Sequence, residues 1–341
     1  MDDGRVLILK GDDVSALLQG REVEIVDAVR RAYVAHAKGQ SFLPHSSFLR
    51  FPGDELNRII ALPAFLGDGF DIAGIKWISS FPGNVRQGMA RASAVLIVNS
   101  CSTGHVEAIL ESSLISVKRT AASAALAAQV LLGGGAPAAV GLVGLGVINL
   151  EIARFLGALL PGIARCVLFD LDPERGRRFA ARLRELAPAI ATETAPDLAT
   201  VLARCPLVSF ATTAVKPHVE DLSACPPGAV ILHVSLRDIA ASAILACDNV
   251  VDDADHVCRA QTSLHLAEQQ TSSRDFIRCS LADLCLGRQP ARVDDSTVTV
   301  FSPFGLGVLD LAVARLVLDR RGESGRGTAI ESFLPTGEGV V

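Results

Sequence analysis

Lysine is scarce in this chain. Lys10, Lys38, Lys76, Lys118 and Lys216 are the only five among 32 basic residues, so a lysine inside an apolar strand stands out. An excess of positive charge is lacking too. The formal net charge is −5 and the pI about 5.8, which argues against a nucleic-acid footprint. The eight cysteines, at positions 101, 166, 205, 225, 247, 258, 279 and 285, contain no CxxC pair and no metal-ligand spacing. They read as small buried hydrophobes of a reducing cytoplasm, and no metal is expected. No export is expected: MDDGRVLILKGDD carries acids where an export signal carries bases. No internal repeat is present. Thr120–Leu150 is free of charge and long enough for a membrane span, yet Gly133-Gly134-Gly135-Ala136-Pro137 divides it into an alanine-rich helix and a strand. No membrane segment is expected.

What is there is enough apolar material for two domains: 341 residues, half of them hydrophobic. The most informative stretch is AAVGLVGLGVINLEIARFLGAL, Ala138 to Leu159. Ala138 to Val143 reads as a buried parallel strand, Gly144 to Asn149 as a tight turn, and the rest as a helix. This is the first βαβ unit of a dinucleotide fold. Gly144 permits the turn. Gly146, with Val147, Ile148 and Asn149 behind it, lets backbone N–H groups approach a pyrophosphate. The third glycine of the usual fingerprint is replaced by Asn149. Asp170 ends the next apolar run, 24 residues beyond Gly146, and suits a ribose 2′-hydroxyl; its charge favours NAD over NADP. Arg175, Arg177 and Arg178 nearby read as a solvated helix face.

Before this unit, strands are predicted at Val6 to Leu9, Ile72 to Ser79, Ala92 to Asn99 and Val106 to Glu111, with a helix over Arg21 to Lys38. They form an antiparallel or mixed sheet of a smaller α+β domain. A helix from Ser116 to Leu132 leads into the nucleotide domain. Strand and helix signals then alternate, as in a doubly wound parallel sheet of the α/β class. Thr212, Ser235, Arg237 and Asp238 fall at carboxyl ends of its strands, where such sheets bind ligands. Asp252, Asp253 and Asp255 end a strand and start a helix, so capping and solvation explain them better than a metal. Gly305 opens a last helix that returns to the first domain, and the tail from Gly322 reads as loose.

GIKW at Gly74–Trp77, RTAA at Arg119–Ala122, the glycine turn and FSPFGLGVLDL at Phe301–Leu311 together resemble the ornithine cyclodeaminase/μ-crystallin family. HSSFLRFP (His45–Pro52), RIIALPA (Arg58–Ala64), GIKWISSFPGN (Gly74–Asn84), RASAVLIVN (Arg91–Asn99), HVSLRDI (His233–Ile239) and QTSLHLAEQQ (Gln261–Gln270) resemble its 2,3-diaminopropionate-forming branch. The resemblance implies a dimerisation and substrate domain built from residues 1–117 and 305–341, with a Rossmann domain, residues 118–304, inserted between them. It also implies a homodimer in the cytoplasm, with NAD as cofactor. The implied reaction is oxidative cleavage of N-(2-amino-2-carboxyethyl)-L-glutamate to L-2,3-diaminopropionate and 2-oxoglutarate, for siderophore or peptide-antibiotic supply. Two other readings stay open: an ornithine cyclodeaminase or imino-acid reductase of the same family, and a non-catalytic nucleotide-dependent ligand-binding protein.

A substrate with several carboxylates needs several cations, because burying an unpaired carboxylate costs several kcal/mol. Lys76, Arg50, Arg58, Arg91 and Arg119 are the candidate clamps, the arginines with bidentate geometry available. His45 is a candidate donor. Arg119 and Thr120 are candidates near the cofactor phosphate, and Thr212, Ser235 and Gly305 near the cofactor. Asp238 is the candidate acid/base, by likeness to the cyclodeaminase branch. Arg237, a candidate for substrate, is not securely separated from it by alignment. Lys118 adds a cation where the family pattern has a small residue.

Overall fold

The computed structural model describes residues 4–334. The chain divides into two units. Residues up to Arg21, Asp27–Arg119 and those from Leu306 on form the first; Glu22–Val26 and Thr120–Gly305 form the second.

The first unit begins with β1 (Val6–Leu9), α1 (Gly11–Leu18) and α2 (Glu22–Ala37). There follow β2 (Ser41–Phe42), β3 (Ser47–Phe51), β4 (Asp54–Leu66), β5 (Ile72–Ser80), β6 (Ala92–Asn99), β7 (Val106–Glu111) and α3 (Ser113–Leu131), the last crossing into the second unit. Strands β1, β7, β6, β5, β4 and β2 lie side by side in that order, with β3 also on β4. The β1–β7 pair is parallel and the others just named are antiparallel, so the sheet is mixed. Period-two alternation sorts its faces. On β6, Ala94, Leu96 and Val98 are buried, while Val95 and Ile97 are only half-buried. Pro63 is tolerated within β4 because it falls between the residues that pair with β2 and those that pair with β3.

The second unit runs β8 (Val140–Val143), α4 (Val147–Leu159), β9 (Arg165–Phe169), α5 (Pro173–Leu186), β10 (Ala191–Thr194), α6 (Leu198–Arg204), β11 (Leu207–Phe210) and β12 (Val230–His233). It continues α7 (Ala241–Leu245), β13 (Asp248–Val251), α8 (Ala254–Val257), α9 (Ser263–Thr271), β14 (Ile277–Ser280), α10 (Leu281–Cys285) and β15 (Thr299–Ser302). All eight strands are parallel to their neighbours, in the order β10-β9-β8-β11-β12-β15-β13-β14. The order reverses between β8 and β11, which makes that place the topological switch point. Every residue of β8, β11, β12, β13 and β15 is buried, as strands covered on both faces require.

The chain then re-enters the first unit through α11 (Gly307–Ser324), whose first half is buried all round and packs on β4 and β5. A Cβ on Gly307 would come within 3.3 Å of Leu62 O, so this helix lies close on the strand. The tail expected to be loose is in part a strand: β16 (Thr328–Ile330) pairs antiparallel with β1. Residues 335–341 lie outside the described part. The charge-free stretch resolves into most of α3, a glycine-rich loop, and β8 with the start of α4. Among the described residues no helix is long and apolar enough to cross a membrane.

Candidate active site

Lys76 points from the middle of β5 to the buried face of the first unit's sheet and is 1% exposed. Its Nζ lies 2.6 Å from Asp310 Oδ2 on α11 and 3.3 Å from Ser116 Oγ on α3. Arg119, one turn after Ser116, reaches Asp310 Oδ1 with its Nε at 3.3 Å. One buried carboxylate thus faces two cations, Lys76 buried beside it and Arg119 partly exposed. Burial drives the ammonium of Lys76 down, Asp310 opposes that, and Arg119 adds to it; the outcome is a pKa of about 8. Lys76 thus sits on an interior strand, with its ammonium buried and paired. Lys118, next to Arg119, is buried too.

The remaining candidate cations gather at one end of the same sheet. Arg50 on β3 pairs with Arg58 on β4, and Arg58 with Ser80 on β5, so the three side chains share a face. Arg91, which enters β6, donates from Nη1 to Ser80 Oγ at 2.8 Å. Arg91 and Arg58 are half-buried; Arg50 is exposed, its guanidinium 5.8 Å from the ring of Phe48, and His45 is exposed.

In the second unit the turn after β8 has the form its sequence implies. Gly144 sits at φ +82°, and a Cβ there would lie 2.7 Å from Ala211 O. At Gly146 a Cβ would meet nothing within 4 Å, and no side chain caps α4, which begins there. Exposed backbone, open space and an uncapped helix start fit a pyrophosphate. Val147 is exposed beside it and Ile148 half-buried. Asp170 turns towards this loop and accepts from Leu145 N at 2.8 Å. The side chain of Asn149 is fully buried and braces the turn. Its amide donates to Val143 O at 2.9 Å and Gly144 O at 2.8 Å, and its Oδ1 accepts from Ser209 Oγ at 2.7 Å. It occupies the space that the third glycine would leave open.

Asp238 lies at the carboxyl ends of β11 and β12, fully buried. Its Oδ1 accepts from Thr212 Oγ1 and its Oδ2 from Ser235 Oγ. These two hydroxyl protons, expected near the cofactor, are engaged by the carboxylate. The backbone N–H of Asp238 donates to His233 Nε2 at 3.2 Å, which makes that nitrogen the acceptor and leaves the ring proton on Nδ1, 3.3 Å from Ser302 Oγ. Burial lowers the pKa of His233 more than Asp238 raises it, so the ring is neutral. Burial also opposes the charge on Asp238, but its neighbours, among them the donating hydroxyls of Ser235 and Thr212, outweigh it and hold the carboxyl below its ordinary value. Leu236, in the turn between, has φ +67°, a costly conformation for a branched side chain. Arg237 is separated from Asp238: its Nη2 donates to Ala260 O at 2.7 Å.

Two further expectations change. Gly305 N donates to Asp252 Oδ2 at 2.7 Å, and Phe304 N to Asp252 Oδ1 at 2.9 Å, so the amide of Gly305 is engaged within the protein. Asp252 is accordingly buried and not solvated, whereas Asp253 caps α8 as expected.

The ornithine cyclodeaminase/mu-crystallin family model matches residues 7–325. The chain belongs to that family. The N-((2S)-2-amino-2-carboxyethyl)-L-glutamate dehydrogenase of Staphylococcus aureus is 28% identical over 337 residues, covering 96% of this chain and 99% of that protein. Two solved structures share the fold. The Δ1-pyrroline-2-carboxylate reductase of Thermococcus litoralis, in complex with NADH and L-proline, has a TM-score of 0.87 at 22% identity over 95% of this chain and 99% of that one. An archaeal alanine dehydrogenase dimer with bound NAD has a TM-score of 0.84 at 23% identity over 96% and 99%.

Asp310 and Ser116 are the site residues that sequence reasoning missed. The signal for Asp310 was available: it is the lone charge in GVLDLAVA, where every neighbour is apolar. An acid there is either costly or paired. Ser116 carried no comparable signal.

Proposed function

We propose that this family member is an NAD-dependent oxidoreductase acting on a CH–NH bond, with N-(2-amino-2-carboxyethyl)-L-glutamate as its substrate. The observation that carries the reading is the buried excess of positive charge: Lys76 and Arg119 share one carboxylate, Asp310. A further anion is needed to balance them, and a substrate carboxylate supplies it. Arg91, with Arg58 and Arg50, offers cations for the other carboxylates, and the Staphylococcus aureus relative acts on this compound by name.

Bound NAD would supply the hydride acceptor for oxidation at the glutamate α-carbon. Gly144 and Gly146 shape the turn for its pyrophosphate, the start of α4 supplies N–H groups, and Asp170 favours a ribose hydroxyl over a 2′-phosphate. Asp238 is the group we assign to proton movement. It accepts a proton from the water that adds at the oxidised carbon and returns one to the amine as the carbon–nitrogen bond breaks. L-2,3-Diaminopropionate, 2-oxoglutarate, NADH and one proton are the products, and diaminopropionate suits siderophore or peptide-antibiotic synthesis. The eight cysteines, none of them in a disulfide, suit a reducing cytoplasm. The half-buried apolar face of the first unit's sheet supports a homodimer.

A second reading, cyclodeamination of ornithine or reduction of a cyclic imine, is favoured by one fact. Lys76, Arg119 and Asp310 alone leave one positive charge, enough for a single carboxylate. Purified protein given NAD and N-(2-amino-2-carboxyethyl)-L-glutamate is expected to form NADH and 2-oxoglutarate in equal amounts. Formation of proline and ammonia from ornithine, without net NADH and with no turnover of the larger compound, would decide for the second reading.

A further inference from the structure

The half-buried guanidinium of Arg91 makes one described bond, to the neutral hydroxyl of Ser80, and no ion pair with any described residue. Burial presses its pKa down, with no acid to counter it. Arg50 and Arg58 stand opposite each other in the adjacent ladder, so their side chains lie on the face that carries Ser80. Ser80, 7% exposed, joins the two features, because it is the ladder partner of Arg58 and the acceptor for Arg91. Lys76 lies four residues before Ser80 on β5 and on the same face. At 3.2–3.4 Å per residue, their Cα atoms are about 13 Å apart. With long side chains at both ends, this spacing suits a flexible chain carrying a carboxylate at each end. A compact amino acid with one carboxylate fills only the Lys76 end.

We infer that Arg91, anchored by Ser80 and flanked by Arg58 and Arg50, receives the distal carboxylate of the substrate's glutamate part, and that Ser80 is a specificity-determining residue. This rests on the proposed function for the identity of the ligand, since it divides the carboxylates of that substrate between two cation groups. Lys76 and Arg119 hold the carboxylate beside the reacting carbon, and the Arg91 group selects dicarboxylates over monocarboxylates of equal length.

The test needs no turnover. Whole protein without cofactor is titrated calorimetrically with glutarate and with butyrate. Glutarate should bind at least about tenfold more tightly, the value of one further charge-assisted contact. Arg91→Ala should erase that preference, and Ser80→Ala should weaken glutarate by about two- to tenfold while leaving butyrate unchanged. Should Arg91→Ala fail to fold, Arg91→Lys replaces it: it keeps the charge but loses the fork geometry, and should weaken glutarate alone. Equal binding of the two acids, or glutarate binding indifferent to both positions, overturns the inference. Because binding is read directly, glutarate selectivity that depends on Arg91, in a protein that makes no NADH, would reject the proposed reaction and keep this site. NADH formation without such selectivity would do the reverse.

Discussion

Lys76 Nζ lies 2.6 Å from Asp310 Oδ2, across 234 residues of sequence, with both side chains sealed from solvent. Asp310 favours the ammonium of Lys76 against the pull of burial and of Arg119, and the net of the three is a pKa lowered from 10.5 to about 8. Lys76 must be charged to hold a carboxylate, so kcat/KM should fall as pH rises through about 8. Asp310→Asn removes the opposing charge, and the pKa drops further. The alkaline inflection should move towards acid by about one unit or more, and Asp310→Glu should restore part of it. An inflection that stays in place, whatever the loss of rate, would make Asp310 merely structural.

Most of the second unit was legible in its sequence because parallel strands buried on both faces are nearly continuous apolar runs, and their ends carry turn residues. Asp238 was legible as a strand-end acid. Its partners were not, since Thr212, Ser235 and His233 come together through strand order and not through spacing. The pair Lys76–Asp310 was hidden for a similar reason: one partner precedes the inserted domain and the other follows it. Helix α1 escaped notice because its buried stripe is only Val14, Leu17 and Leu18, too short to show periodicity.

Asp238→Asn keeps the shape of the carboxylate and removes its charge. The hydroxyls of Thr212 and Ser235 retain one oxygen to bond, and the backbone bond to His233 is untouched. If Asp238 moves protons during catalysis, kcat should fall by about 10²-fold or more, with the NADH dissociation constant, read by fluorescence, little changed. Full turnover in this variant would pass the role to a neighbour. In the wild type the carboxyl titrates below its ordinary value, so it stays ionised through neutral pH, and loss of the base form is confined to acid conditions.

The two glycines of the turn should fail in opposite ways. Gly144→Ala places a side chain at φ +82° against Ala211 O, so it should lower the melting temperature with or without cofactor. The left-handed backbone alone costs about 1–2 kcal/mol. Gly146→Ala meets no protein atom and has an ordinary backbone conformation, so the fold should melt as before. Its methyl group occupies the approach proposed for the pyrophosphate, and NAD binding should weaken by about tenfold or more, from loss of close hydrogen bonds to a charged group. Unaltered NAD binding in a well-folded Gly146→Ala protein would place the dinucleotide elsewhere.

The outward face of the first unit's sheet bears on assembly. Pro63, Ile75, Ile97 and Ile109 lie in one cross-strand row, and Ala61, Trp77 and Val95 in the next. Trp77 is 41% exposed in the single chain, and an apolar sheet face of this kind is what a second copy covers. A stable interface needs about 800 Å² from each partner, which a sheet face several strands wide provides. Ile97→Arg puts a charge at the middle of the row without touching the inward face, where Leu96 and Val98 pack. It should convert a dimer to a monomer in sedimentation velocity. The sole tryptophan of the chain gives an independent reading, since its emission should move to longer wavelength as the face meets water. A wild-type monomer, or a dimer that survives Ile97→Arg with unchanged emission, would remove this face from the assembly.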